Sequence, residues 1–62
     1  MKKLYKVTQS IMGADKPVDL YFKSKKEADE YYNNHEYCDK PESESVEDYK
    51  VDDLLENTNY YM

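Results

Sequence analysis

Arginine and tryptophan are absent from this 62-residue chain, which also holds only one glycine and one cysteine. The single cysteine, Cys38, cannot close an internal disulfide. His35 is the only histidine, so a second Cys or His pair that would complete a zinc site is missing. One glycine leaves no glycine-rich loop to form an oxyanion hole around a Cys–His nucleophile. We therefore expect no catalytic residues, no cofactor, no metal and no enzymatic activity.

Long apolar runs are also missing. No stretch approaches the roughly 18 apolar residues of a membrane span, and no apolar run of signal-peptide length follows the basic start of the chain. A lone thiol suits a reducing compartment, so we expect a cytoplasmic protein that does not contact a membrane. Abundant Lys, Asn and Tyr without Arg is typical of AT-rich coding sequences, and indicates a small accessory protein of a low-GC bacterium, phage or prophage.

Aliphatic residues are scarce, because Leu, Ile, Val and Phe together number ten of 62. Eight tyrosines compensate, since each ring can bury on the order of 150–250 Å². The length allows one domain with a thin core, for which we expect residues 1–56, followed by a loose tail over residues 57–62. A thin core also favours a homodimer, in which each copy buries part of the other.

Two segments alternate with the period of a strand. Residues 3–9 place Tyr5 and Val7 on one face, and residues 18–23 place Val18, Leu20 and Phe22 on one face. The connection between them contains Gly13 and is typical of a hairpin.

A helix is predicted to begin after Ser24, because Ser24 and Glu27 have the spacing of a capping box. Ala28, Tyr31, Tyr32 and His35 then form the inward stripe. Residues 39–45 are expected to be a polar loop, and residues 46–54 a third strand in which Tyr49 and Val51 share the inner face. The predicted fold is a small α+β domain of order β-β-α-β, with an antiparallel-type mixed three-stranded sheet (order 2-1-3) covered by one helix.

Charge changes sign along the chain. Residues 1–38 hold seven Lys and six acidic residues (+1), and residues 39–62 hold two Lys and eight acidic residues (−6), which sum to the −5 of the whole chain. The acidic part is interleaved with Val, Leu and Tyr between residues 39 and 56. This mixture indicates an interface for a basic partner, and the alternative is a charged surface that only keeps the protein in solution.

The predicted function is therefore a non-enzymatic acidic module that binds a basic protein surface. The expected partner is a nucleic-acid-binding protein, which a DNA mimic of this kind would inhibit or modulate. The alternative is a homodimeric structural or accessory protein with no nucleic-acid-related partner. Direct nucleic-acid binding is not expected, since phosphate binding requires a basic patch.

The predicted contact residues belong to two surfaces. On the acidic strand, Asp48 and Asp52 point away from the core and are the first choice, and the loop acids Glu42 and Glu44 extend that surface. On the sheet face opposite the helix, Leu4 and Tyr21 form a patch that we expect to be covered by a partner or a second copy.

Overall fold

The computed structural model describes residues 1–61, and Met62 lies outside the described residues. In chain order, its elements are β1 (Lys2–Gln9), β2 (Val18–Phe22), α1 (Lys25–Asn34), β3 (Glu42–Val46) and α2 (Asp48–Tyr61). Neither of the helices within the described range has the length and apolarity needed to cross a bilayer.

The three strands form one antiparallel sheet in the order β2-β1-β3, which confirms the predicted α+β class and strand order. Val7 lies opposite Leu20 in the β1–β2 pair, and Leu4 lies opposite Glu44 in the β1–β3 pair. Between β1 and β2, Gly13 has a φ of 89°, a left-handed conformation that glycine adopts without a steric penalty. The predicted hairpin is therefore confirmed.

Helix α1 begins as its capping sequence predicts. Ser24 has an extended backbone, and its hydroxyl accepts a hydrogen bond of 3.2 Å from the N–H of Glu27. The inward residues Ala28 and Tyr31 pack against β1 and β2 in the first core cluster. His35, predicted to be inward, is exposed and ends the helix as its C-cap. The buried members of this first cluster are Val7, Leu20, Phe22, Ala28 and Tyr31.

The third strand lies earlier in the chain than we predicted. β3 occupies the segment expected to be a polar loop, and shares only Val46 with the predicted strand. Its sequence, ESESV, has little strand propensity. Pairing with β1 from Glu42 to Val46 supplies the backbone hydrogen bonds, so tertiary contact overrides local preference here.

Residues 48–61 form a second helix, so the strand predicted over residues 46–54 is wrong beyond Val46. Val51 and Thr58 are buried, and Leu54 and Leu55 between them are half-buried, which is the spacing of one helical face. Tyr49, predicted to share the inner face with Val51, is exposed because residues two apart on a helix point in different directions. The alternation that suggested a strand was too short to be diagnostic.

Residues 57–61 of the expected loose tail are part of the same helix, and its last residue, Met62, lies outside the described residues. α2 passes through the predicted domain boundary at Glu56 and continues to Tyr61. Thr58, inside the expected tail, is only 2% exposed. Residues 57–61 therefore contribute to the folded structure.

α2 packs against the sheet face opposite α1, so the sheet is covered by two helices and not by one. A second core cluster forms there, with Leu4, Val46 and Val51 buried and Tyr21, Leu54 and Leu55 packed around them. Because side chains alternate along β1, Leu4 and Val7 serve opposite layers. A chain with few aliphatic residues thus forms two small cores around one sheet.

α2 also contacts the outer edge of β2 at one backbone group. The hydroxyl of Thr58 accepts a hydrogen bond of 2.7 Å from the backbone N–H of Tyr21 and donates one of 2.9 Å to the carbonyl of Leu54. An unpaired strand edge is a template for association with other chains. One hydroxyl thus satisfies a backbone donor at this edge and fastens α2 to the sheet.

Candidate protein-interaction surface

α2 exposes a face that carries both carboxylates and tyrosines. The helix turns about 100° per residue, so the direction opposite Val51 and Thr58 is occupied by residues at 3- and 4-residue spacings. We call the following five exposed residues the acidic face of α2: Tyr49, Asp52, Asp53, Glu56 and Tyr60.

The two tyrosines stand at the ends of this face. Tyr49 is 72% exposed and Tyr60 is 84% exposed, and at 1.5 Å per residue they are separated by about 16 Å along the helix axis. Tyrosine is enriched in protein–protein interfaces, where its ring can be buried while its hydroxyl bonds to the partner. The acidic face of α2 therefore offers two aromatic anchors with carboxylates between them.

Neighbours on the same helix contact both anchors. The ammonium of Lys50 lies 5.7 Å from the centre of the Tyr49 ring, and the rings of Tyr60 and Tyr61 meet edge to face with centres 5.3 Å apart. Such contacts restrict the rings before binding, and reduce the side-chain entropy lost on association.

Asp48 and Asp52, predicted as contact residues on a strand, lie one turn apart on α2 and are both exposed. Asp48 is in the first turn, where a negative charge stabilises the helix dipole, and its carboxylate lies 3.6 Å from the terminal ammonium of Met1. Asp52 belongs to the acidic face of α2. The strand-based reasoning missed Asp53, Glu56 and Tyr60, which the helical spacing from Val51 to Thr58 could have located.

Glu42 and Glu44 lie on β3, on the sheet side that α2 occupies. Glu44 is engaged within the protein, because one carboxylate oxygen accepts a hydrogen bond of 2.9 Å from the Tyr21 hydroxyl and the other lies 3.8 Å from the Lys6 ammonium. Glu42 is exposed. Of the two acids predicted to extend the contact surface, only Glu42 is freely presented to solvent.

Leu4 and Tyr21 are covered by the chain itself. Leu4 is 2% exposed, and α2 packs over both residues. The prediction that this patch must be covered by a partner or a second copy is therefore corrected: the cover is α2, which the sequence reasoning had taken for a strand and a tail. Leu4 is not available as a contact residue.

The environment of Tyr21 favours its neutral form. Burial, followed by the hydrogen bond to Glu44 and the negative charges of Glu44 and Asp19, raises the pKa of Tyr21 to about 12. In the unfolded chain a tyrosine ionises near pH 10. The folded protein therefore retains this proton over a pH range in which the unfolded chain loses it.

This difference predicts a loss of stability in alkaline solution. The contribution of Tyr21 is fully present below about pH 10 and is lost as pH rises towards 12, because the unfolded state then binds fewer protons than the native state. The free energy of unfolding, measured with urea, should fall more steeply over this pH interval for the wild type than for Tyr21→Phe, whose side chain at position 21 cannot ionise. Parallel pH profiles for the two proteins would contradict this assignment.

Cys38 and His35, the remaining reactive side chains, have internal contacts. The His35 ring stacks on Tyr31 at 3.8 Å, and its Nδ1 lies 3.0 Å from the Tyr31 carbonyl. Burial, and then the nearby charge of Asp39, raises the pKa of the Cys38 thiol, whereas a nucleophilic cysteine requires a lowered pKa. Across residues 1–61, no three Cys, His, Asp or Glu side chains converge as metal ligands would.

Comparison of the chain with protein-family models, curated proteins and solved structures gave no match.

Proposed function

We propose that this protein is a non-enzymatic, cytoplasmic binding module that recognises a basic protein surface through the acidic face of α2. The observation that supports this most is the pair of exposed tyrosines, Tyr49 and Tyr60, on either side of three carboxylates. Carboxylates accelerate encounter with a basic partner, and aromatic side chains supply the area that is buried on contact. Carboxylates alone would suffice for a surface that only maintains solubility.

The charge density of this face supports a nucleic-acid-binding protein as the partner. Asp52, Asp53 and Glu56 place three negative charges within about 6 Å along the helix axis. This spacing is similar to that of one strand of B-DNA, which carries a charge about every 3.4 Å. A surface that binds phosphates can therefore accept this face in their place. The protein would then act as an inhibitor or modulator by occupying the partner's nucleic-acid site, a role consistent with a phage or prophage accessory protein.

Charge reversal on α2 tests the proposal. The test variant carries Asp52→Lys and Asp53→Lys, and its matched control carries Asp15→Lys and Glu36→Lys. Each pair changes the net charge of the protein from −5 to −1. All four positions are exposed. Asp48 is left unchanged because lysine in the first turn would oppose the helix dipole.

Partners are first captured from bacterial lysate at low salt and identified by mass spectrometry, and their association with each variant is then measured with purified components. We expect the α2 variant to associate about tenfold more slowly, with a weaker salt dependence, while the control stays near wild type. The wild type should also displace DNA from the partner. An equal loss of association rate in both variants would mean that the acidic face of α2 acts only through the net charge of the protein. An unchanged association rate in the α2 variant would mean that this face does not contact the partner.

The homodimer alternative had two grounds, the thin core and the patch at Leu4 and Tyr21 that was expected to need a cover. Since α2 covers that patch within one chain, the argument for a second copy at this position no longer holds.

A further inference from the structure

The two outer edges of the sheet are covered differently. At the β2 edge, the Tyr21 N–H is bonded to Thr58 of α2. β3 forms the other edge, since it pairs with β1 alone among the strands in residues 1–61. Ser43 and Ser45 on β3 are exposed. The β3 edge therefore faces solvent, whereas at the β2 edge the Tyr21 N–H is already bonded within the chain.

The register identifies which backbone groups lie on the open edge. The N–H of Tyr21 points away from β1, so its β1 partner, Lys6, directs its own N–H and C=O away from β2 and towards β3. Lys6 pairs with Glu42 on β3. Because N–H and C=O groups alternate in direction along a strand, the groups of Ser43 and Ser45 must point outward.

Two further hydrogen bonds agree with this assignment. The Thr8 carbonyl accepts a bond of 2.8 Å from the Asp39 N–H, and the Ser10 N–H donates one of 2.9 Å to the Tyr37 carbonyl. Both partners belong to the segment that leads into β3, so the even-numbered residues of β1 bond towards the β3 side. The Ser43 and Ser45 groups are about 6.8 Å apart along the strand, which is the repeat of an added antiparallel strand.

Charge determines what kind of strand fits this edge. Residues 39–48 contain five acidic residues and one Lys, a net charge of −4. A second copy of β3 would bring the same charge alongside and place carboxylates near carboxylates, which is destabilising. A lysine-rich segment would bring the opposite charge.

We propose that the outer edge of β3 binds an extended lysine-rich segment of a partner by adding it to the sheet as a fourth strand. The N–H and C=O groups of Ser43 and Ser45 pair with its backbone, and alternate lysines lie on the side of the sheet where Glu42 is exposed. This site is separate from the acidic face of α2, and recognises backbone conformation as well as charge.

A short peptide tests the proposal directly. The probe is Lys-Thr-Lys-Thr-Lys-Thr-Lys with blocked ends and a fluorescent label, and its charge-matched control is Lys-Lys-Thr-Thr-Thr-Lys-Lys. We expect the alternating peptide to bind at least tenfold more tightly, and to slow hydrogen exchange of the Ser43 and Ser45 amides in particular. Equal binding of the two peptides, or protection confined to α2, would overturn the proposal.

Two backbone changes separate strand pairing from charge. Ser43→Pro removes an outward N–H and leaves the bonds to β1 in place, whereas Ser43→Ala keeps that N–H. We expect Ser43→Pro to lose at least tenfold in peptide affinity and Ser43→Ala to lose little. If Ser43→Pro does not fold, a probe N-methylated at alternate residues should lose affinity for the wild type instead.

The second copy is the competing occupant of this edge. Protection of Ser43 and Ser45 that rises with protein concentration in the absence of peptide, together with a dimer in sedimentation, would overturn the proposal in favour of self-association. The α2 double lysine variant distinguishes the two sites: its Ser43 and Ser45 amides should still be protected by the peptide even if it no longer binds the partner of the acidic face.

Discussion

Leu20→Ala is expected to remove a large part of the protein's stability at room temperature. Leu20 is fully buried in the cluster beneath α1, where it packs with residues of β1 and α1. Truncating a buried leucine costs about 2–5 kcal/mol, and a domain of this size has only about 5 kcal/mol of stability. Urea unfolding followed by circular dichroism should show a midpoint at a much lower urea concentration than that of the wild type.

The neighbouring residue provides a matched control. Asp19 is exposed on the opposite side of β2 and accepts a hydrogen bond of 2.8 Å from the Thr8 hydroxyl. Asp19→Ala should cost less than about 1 kcal/mol, because an exposed side-chain hydrogen bond contributes little once water can replace it. Similar destabilisation by the two substitutions would contradict the assignment of faces on β2.

Leu4→Ala is expected to have an effect of the same size, about 2–5 kcal/mol. Leu4 is buried beneath α2 with Val46 and Val51. If this sheet face were open, as the sequence suggested, the substitution would remove an exposed side chain and cost little. The measured change in unfolding free energy therefore decides whether α2 packs on the sheet in solution.

Lys2→Ala is the control for this second core. Lys2 lies two residues before Leu4 on the same side of β1, but it is exposed, so its truncation should change stability by less than about 0.5 kcal/mol. A mild effect of Leu4→Ala, equal to that of Lys2→Ala, would mean that the second cluster does not form. Loss of α2 helicity in Leu4→Ala, with the β1–β2 hairpin intact, would locate the damage to the α2 layer.

α2 has two tasks in this molecule. Its inner face completes the second core and fastens the β2 edge through Thr58, while its outer face presents the tyrosines and carboxylates of the proposed interface. The inner face holds the outer one in position, so the interface is displayed on an ordered helix. This arrangement favours binding, because little conformational entropy is lost when the partner docks.

The sequence was sufficient to predict the elements whose signals are local. Alternation at Val18, Leu20 and Phe22 identified β2, and Ser24 with Glu27 identified the start of α1. The hairpin and the strand order followed from these elements and from general connection rules. For β2 and for the start of α1, the residues that carry the signal lie within about ten positions of one another, where pattern and propensity are informative.

The C-terminal third was decided by tertiary contacts. β3 is too polar to be recognised as a strand, and it forms because β1 offers its open side as a template. α2 has only weak apolar periodicity, and its helical state depends on the burial of Val51 and Thr58 against a sheet that the chain builds earlier. The distribution of acidic residues along the sequence was enough to locate the negative charge in this region. Which carboxylates share a face with Tyr49 depends on a helix rather than a strand, and packing against the second face of the sheet stabilises that helix.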